Sequence, residues 1–147
     1  MKLFDTTLTR LQESLDVRLV EHNVLAGNIA NADTPGYRPK ELDFAQAMAA
    51  AQRTSSADAM RGTDQTSDPN HLGLNGAAVG QEGGAMGAAA SLVREGGTGN
   101  PSLDGNDVDI DRTMAGLAEN ALQYGASARA AGKKLAILRY VITEGNG

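Results

Sequence analysis

The chain contains no cysteine and no tryptophan, and only two phenylalanines and three tyrosines among its 147 residues. Without cysteine there is no disulfide and no thiolate to bind zinc or carry redox chemistry. The shortage of aromatics removes the side chains that normally supply much of a core's buried area. Alanine and glycine make up much of the remaining apolar content, and each buries little. The core expected is thin and completed by neighbouring subunits. No apolar run approaches the roughly 20 residues needed to cross a bilayer. Basic charge is also scarce, with 13 Lys and Arg against 18 Asp and Glu and a net charge of −5. Neither a basic cluster nor an aromatic stacking platform is present, which argues against nucleic-acid binding. Residues Met1 to Arg10 lack the apolar stretch of a cleaved secretory signal. The protein is expected either to stay in the cytosol or to leave the cell by a route that uses no such signal.

What the chain does have is helical periodicity at both ends. Leu8, Leu11, Leu15, Leu19, His22, Ala26 and Ile29 step by threes and fours and predict a helix from Thr6 to Ala30. The two successive steps of four from Leu11 to Leu19 form a stutter, which relaxes a left-handed supercoil. Arg10, Glu13, Arg18 and Glu21 are expected on the opposite, polar face, with Asp5, Thr6 or Thr7 capping the start. The second pattern is more regular. Met114, Leu117, Ala121, Tyr124, Ala128, Ala131, Leu135, Leu138 and Ile142 alternate steps of three and four over four heptads. It predicts a helix from about Asp111 to Thr143, with Gly145 ending it. Asp107, Asp109 and Asp111 at its start and Lys133, Lys134 and Arg139 toward its end suit the helix dipole. Gly116, Gly125 and Gly132 each cost about 1 kcal/mol relative to alanine in an isolated helix, so their presence points to close packing from outside.

Between these helices the sequence changes character at Asn28-Ile29-Ala30-Asn31-Ala32-Asp33-Thr34-Pro35-Gly36-Tyr37. Pro35 biases Thr34 away from helical angles. Asn31 and Asp33 bond readily to nearby backbone and favour ends and turns. Pro35-Gly36 suits the centre of a type II turn with Gly36 at positive φ, and Tyr37 is expected to anchor the turn by packing. Pro39 then keeps the chain extended. Asp43 is placed to cap a short helix from Phe44 to about Arg53. From Thr54 to Asn70 the chain is polar and turn-rich. Gly73 to Gly99 holds half of the 18 glycines, which predicts mobile loops, with a short helix or hairpin near Ala88–Arg94 as the less favoured alternative.

No site for catalysis emerges. Asp107-Val108-Asp109-Ile110-Asp111 begins like a calcium loop, but Arg112 and Ala118 stand where the glycine and the final glutamate are needed. Helix-capping acids explain it better. His22 and His71 are the only histidines, and no spacing joins them to carboxylates as a zinc site. There is no Gly-x-Ser-x-Gly elbow and no phosphate loop. The polar faces of the end helices mix both charges and lack the basic bias of a membrane-surface helix. A non-enzyme without cofactor or small-molecule ligand is expected.

The residues from Asn28 to Tyr37 resemble the signature of flagellar basal-body rod proteins, which hook proteins share in looser form. Glu41-Leu42-Asp43-Phe44 and the stretch from Asn106 to Gly145, especially Val108-Asp109-Ile110-Asp111, Met114, Asn120, Tyr124, Lys134 and Leu138, are most similar to the proximal rod branch, the FlgB type. The resemblance covers both ends, and the Gly/Ala-rich middle carries no match. It implies a mainly α fold, with the N- and C-terminal helices paired as a coiled-coil-like hairpin around a flexible middle. Residues 1–37 would form an axial helix and turn, 38–106 a short helix and irregular loops, and 107–147 a second axial helix of one structural domain. The implied function is that of a structural subunit of the rod, part of the drive shaft, exported by the type III route and located in the basal body on the periplasmic side of the inner membrane. Its partners would be copies of itself, a FliE-type adaptor, FlgC-type and other rod proteins, and export-gate and MS-ring components. The helix faces listed above would be the packing interface. A soluble helical export chaperone or adaptor is the alternative from a different class.

Overall fold

A computed structural model describes residues 6–60, 84–97, 99 and 101–144, with side chains omitted for 55–60. Two long helices dominate it. α1 spans Thr6–Ala30 and α4 spans Ile110–Glu144, about 37 and 52 Å at 1.5 Å per residue. They pack against each other along their lengths. The contacts are antiparallel, with Asn120 beside Arg18 and Gly116 beside Leu25. The mainly α fold with paired terminal helices is therefore as expected. Asp5, His71 and Gly145 lie outside the described residues, as do residues 73–83 and 98 of the Gly-rich stretch.

The described part of the connecting region holds more regular structure than its glycine content suggests. α2 runs over Phe44–Met60 rather than ending near Arg53. Its alanine-rich sequence favours helix, and Thr54 donates its hydroxyl to the Ala50 carbonyl at 3.1 Å instead of breaking the helix. Asp43 caps α2 as predicted, accepting from the Gln46 amide at 3.0 Å. The stretch expected as a mobile loop contains α3, Ala85–Ala90, and β2, Arg94–Glu95. β2 pairs antiparallel with β1, Lys40–Glu41, setting Lys40 opposite Glu95 and Glu41 opposite Arg94. Opposite charges thus face each other on both rungs. Local propensity alone misses α3 because its support is tertiary: Ala89 is fully buried against α1 and α2.

The core is small. It consists of Val17, Val20, Ala47, Ala51 and Ala89, with Leu42, Phe44, Met48, Ala85, Leu92 and Val93 packed around it. Val17 is the largest side chain that is fully buried. Alanines on α2 and α3 let these helices approach α1 closely, so contact area comes from backbone proximity more than from bulky side chains.

The buried line of α1 differs from the expected leucine stripe. Glu13, Val17, Val20 and Asn28 are buried, and at 3.6 residues per turn this line lies about half a turn from Leu8, Leu11, Leu15 and Leu19. Glu13 and Arg18, expected on a solvated polar face, are instead enclosed, with Glu13 5% exposed and the Arg18 side chain 12% exposed. Valine at 17 and 20 supplies the inward stripe, while the longer leucines lie toward the flank and outside. Leu8, Leu11, Leu15 and Ile29 are half-buried, and Leu19, His22 and Ala26 are exposed. On α4 only Asn120 is buried. Leu117, Ala131 and Leu138 are half-buried, whereas Met114, Ala121, Tyr124, Ala128, Leu135 and Ile142 are exposed. Because Ala51 is fully buried, Ala51→Leu should destabilise the protein by about 1–3 kcal/mol through overpacking, measured by urea denaturation followed by far-UV circular dichroism.

Candidate functional site

The turn at the end of α1 is built on side-chain amides. Asn28, 3% exposed, lies in the last turn of α1. Its Nδ2 donates to the Lys40 carbonyl at 2.7 Å and its Oδ1 accepts from the Lys40 amide at 2.8 Å. The side chain thus pairs with Lys40 as a neighbouring peptide group would, and fixes where β1 begins. Its Oδ1 also accepts from the Tyr37 hydroxyl at 3.3 Å. Tyr37, predicted to anchor by packing, anchors by a hydrogen bond as well.

Asn31 closes the helix as expected. Its Nδ2 donates to the Gly27 carbonyl at 2.8 Å, which also accepts from the Asn31 backbone amide at 3.2 Å in the last turn of the helix. Its Oδ1 accepts from the Thr34 hydroxyl at 3.3 Å. The Tyr37 amide then donates to the Thr34 carbonyl at 3.2 Å around Pro35-Gly36. Gly36 has φ of 71°, as a type II turn requires. A Cβ on Gly36 would meet nothing within 4 Å, so the requirement for glycine is conformational and not a matter of space. Asp33 is exposed, as are Thr34 and Pro35.

Asn106, which residue patterns alone did not single out, locks this turn to the start of α4. It is 3% exposed, and its Nδ2 donates to the carbonyls of Asn31, Ala32 and Thr34 at 3.0, 2.8 and 2.8 Å. An amide nitrogen has two hydrogens, so three carbonyls share them. Its Oδ1 accepts from the Val108 amide at 2.8 Å. Two backbone bonds complete the clasp, from Gly36 to the Asp104 carbonyl at 3.0 Å and from Asp107 to the Tyr37 carbonyl at 3.2 Å. Asp109 then caps α4 through the Arg112 amide at 2.9 Å. The signal for Asn106 was an asparagine within Asp104-Gly105-Asn106-Asp107, but its partners lie more than seventy residues away.

Midway along the helix pair, Arg18 reaches α4. Its Nη1 donates to Asn120 Oδ1 at 3.2 Å, its Nη2 donates to Gln123 Oε1, and Asn120 Nδ2 donates back to the Arg18 carbonyl at 2.9 Å. The guanidinium also lies 4.2 Å from the centre of the Phe44 ring and 3.6 Å from Glu21. Nearby, a cleft between α1, β1 and the start of α4 is lined by Glu21, Asp107, Asp109 and Glu119 together with Lys40 and Arg112. Both signs of charge line it, and among the described residues no cluster of three or more metal-binding groups occurs. Chemically the region can hold geometry; none of its groups is poised as a nucleophile with a base.

Burial pushes the Glu21 carboxyl above its ordinary value of 4.5, with Arg18 opposing the shift and Glu119 adding to it. Burial and then Glu13 raise Asp16 above 3.8. A carboxyl held above its unfolded value favours the folded state only while protonated. That contribution is complete below the unfolded values and is lost as pH rises through the folded ones, so at neutral pH both groups oppose folding. Glu21→Gln should therefore raise the melting temperature at pH 7, with the gap to the parent closing below about pH 4, as followed by thermal denaturation across pH. Asn106→Ala should cost about 1–3 kcal/mol, because it removes a buried side-chain amide with four backbone partners and leaves the half-buried Ala32 carbonyl without its donor. Asn106→Asp should be no better, because an ionised carboxylate has no hydrogen to donate; chemical denaturation of both variants checks this.

These features coincide with a family signature. The family described as "Flagella basal body rod protein" matches residues 18–38, from Arg18 through the turn. Along nearly the whole chain the protein is similar to the flagellar basal body rod protein FlgB of Escherichia coli (strain K12), at 34% identity over 97% of this chain and 96% of the relative. The FlgB proteins of Salmonella typhimurium and Bacillus subtilis (strain 168) are 32% and 29% identical, covering 97% and 99% of this chain and 96% and 99% of their own lengths. With an amide-built turn inside the matched segment and similarity running end to end, this chain belongs to the FlgB family of flagellar basal-body rod proteins.

Proposed function

We propose that the chain is a subunit of the proximal part of the flagellar rod, and that its two long helices lie along the rod as packing elements of the drive shaft. One observation carries this reading. α4 leaves Met114, Leu122, Tyr124, Leu135, Ile137, Tyr140, Val141 and Ile142 between 43% and 69% exposed in the single chain, far more apolar surface than a lone long helix needs. Neighbouring subunits placed along a screw axis would cover these side chains through heterologous contacts, which propagate and do not close. The seam residues of α1, namely Leu8, Leu11, Leu15, Leu19, Ala26 and Ile29, and those of α4, Met114, Leu117, Ala121, Tyr124, Ala128, Ala131, Leu135, Leu138 and Ile142, form the proposed interface.

The partners in this reading are further copies of the chain, a FliE-type adaptor, FlgC-type and other rod proteins, and the export-gate and MS-ring components beneath. The subunit would leave through the type III apparatus without a cleaved signal and function on the periplasmic side of the inner membrane. Among the described residues no helix is long and apolar enough to cross a membrane. A thin, disulfide-free core suits passage through an export channel as an unfolded chain. The relatives named above are rod proteins, not enzymes, and they do not favour the alternative of a soluble export chaperone or adaptor.

Leu135→Asp or Ile142→Asp should abolish rod assembly and motility while leaving helix content and thermal stability unchanged, because both side chains are already more than half exposed. Motility in soft agar, electron microscopy of basal bodies and circular dichroism of the purified variants together check this. Normal rods in both variants would contradict the proposed interface.

A further inference from the structure

We propose that Arg18 is a register key of the α1–α4 pair: together with the Asn106 clasp at their junction it selects one axial alignment of the two helices, and it contributes little to their attraction. The face that α4 offers α1 is poor in side chains that fix register by shape. Between Thr113 and Ala131 its less exposed positions are small or polar except for Leu117, and small residues on a helix face leave neighbouring alignments similar in packing. The apolar contact of Leu25 with Gly116, 3.7 Å from a hypothetical Cβ, is a knob over a flat place.

Against that background the Arg18–Asn120 contact is reciprocal and specific to one alignment. The guanidinium donates to the Asn120 and Gln123 side-chain oxygens, while the Asn120 amide donates to the Arg18 carbonyl. Sliding α4 by one turn would bring either Gly116 and Glu119 or Tyr124 and Ser127 opposite Arg18. Gly116 has no side chain, Tyr124 has no amide, and ionised Glu119 has no hydrogen for the Arg18 carbonyl. Of these three alignments only the observed one sets a carboxamide, which donates through its nitrogen and accepts through its oxygen, beside the Arg18 carbonyl and guanidinium. The stacking on Phe44 at 4.2 Å, at the first residue of α2, holds the guanidinium from a third element.

The arrangement is also imperfect as a stabilising contact. Arg18 Nε is buried without a hydrogen-bond partner, and so is Glu21 Oε2. Buried charges that are incompletely paired cost desolvation and are often replaced by apolar residues without loss of stability, whereas a polar group at a helix interface can specify alignment. The inference concerns the single chain and is independent of how that chain assembles.

The test is a distance measurement. The chain has no cysteine, so Ala30→Cys with Leu122→Cys, both exposed, places two nitroxide labels on the full-length protein. Doubly labelled chains are diluted in unlabelled protein and read by pulsed electron spin resonance. With Arg18 intact, one narrow distance distribution is expected. In Arg18→Met, helix content should persist and a second population should appear, displaced along the helix axis by about 5.4 Å, one turn. Arg18→Lys keeps the charge but lacks the planar fork, and it should show the second population too. A single unshifted distribution in Arg18→Met overturns the proposal. If Arg18→Met loses its helices, Arg18→Lys decides: two populations support the proposal, while one population, or unfolding of this variant as well, overturns it. A broad distribution with Arg18 intact also overturns it.

Discussion

The donation of one side-chain amide to three backbone carbonyls, from Asn106 to Asn31, Ala32 and Thr34, is the constraint on which the rest of this structure depends. A helix C-terminus leaves carbonyls without partners, and a chain that turns sharply there must satisfy them away from water. Here the segment preceding α4 satisfies them. The residue that closes the turn therefore also fixes where the second long helix begins. Asn28 performs the complementary task on the outgoing chain by pairing with the Lys40 peptide. Between them, two buried asparagines determine the path into and out of the connecting region. Neither asparagine side chain is ionisable.

Away from the junction, the helices are held by little apolar bulk. α1 is enclosed by α2 and α3 along its valine line and touches α4 along a second line marked by Arg18 and Leu25. Its leucine stripe lies apart from the valine line, and most of α4's apolar side chains point to solvent. In a protein that functioned alone this would be an aggregation hazard. In the assembly proposed above, neighbouring subunits would cover this surface. The polar character of the α1–α4 contact follows from the same division of labour: alignment inside the chain is set by hydrogen bonds, leaving the leucines and aromatics for outside contacts.

The sequence made the skeleton legible and concealed the wiring. α1 ends where Thr34-Pro35-Gly36 requires, Gly36 has the positive φ its turn type demands, and Asp43 caps α2, because each depends on residues within a few positions of one another. The inward face of α1 was not legible. The leucine stripe has the stronger periodic signal, but a helix with apolar residues on two sides can bury either one, and valines at 17 and 20 take the core. Arg18 and Glu13 read as surface residues because charge normally marks solvent, and only the approach of α4 and α2 encloses them. α3 was hidden because a six-residue alanine-rich helix has weak local preference and exists by packing. Asn106 was hidden because its partners come from the other end of the chain. The packing role proposed for the seam residues is a matter of assembly, and in one chain some of them are exposed and the rest half-buried.

The central claim is that the Asn28–Tyr37 turn acts by geometry and is held in place by the start of the C-terminal helix. Amide hydrogen exchange of the full-length protein tests it most directly. The amides of Gly36, Lys40, Asp107 and Val108, which lie in a turn, a two-residue strand and a loop, should exchange as slowly as those in the middle of α1, because the clasp opens only when the helix pair separates. Exchange of these four amides at the rates of open loops, while α1 stays protected, would contradict the account.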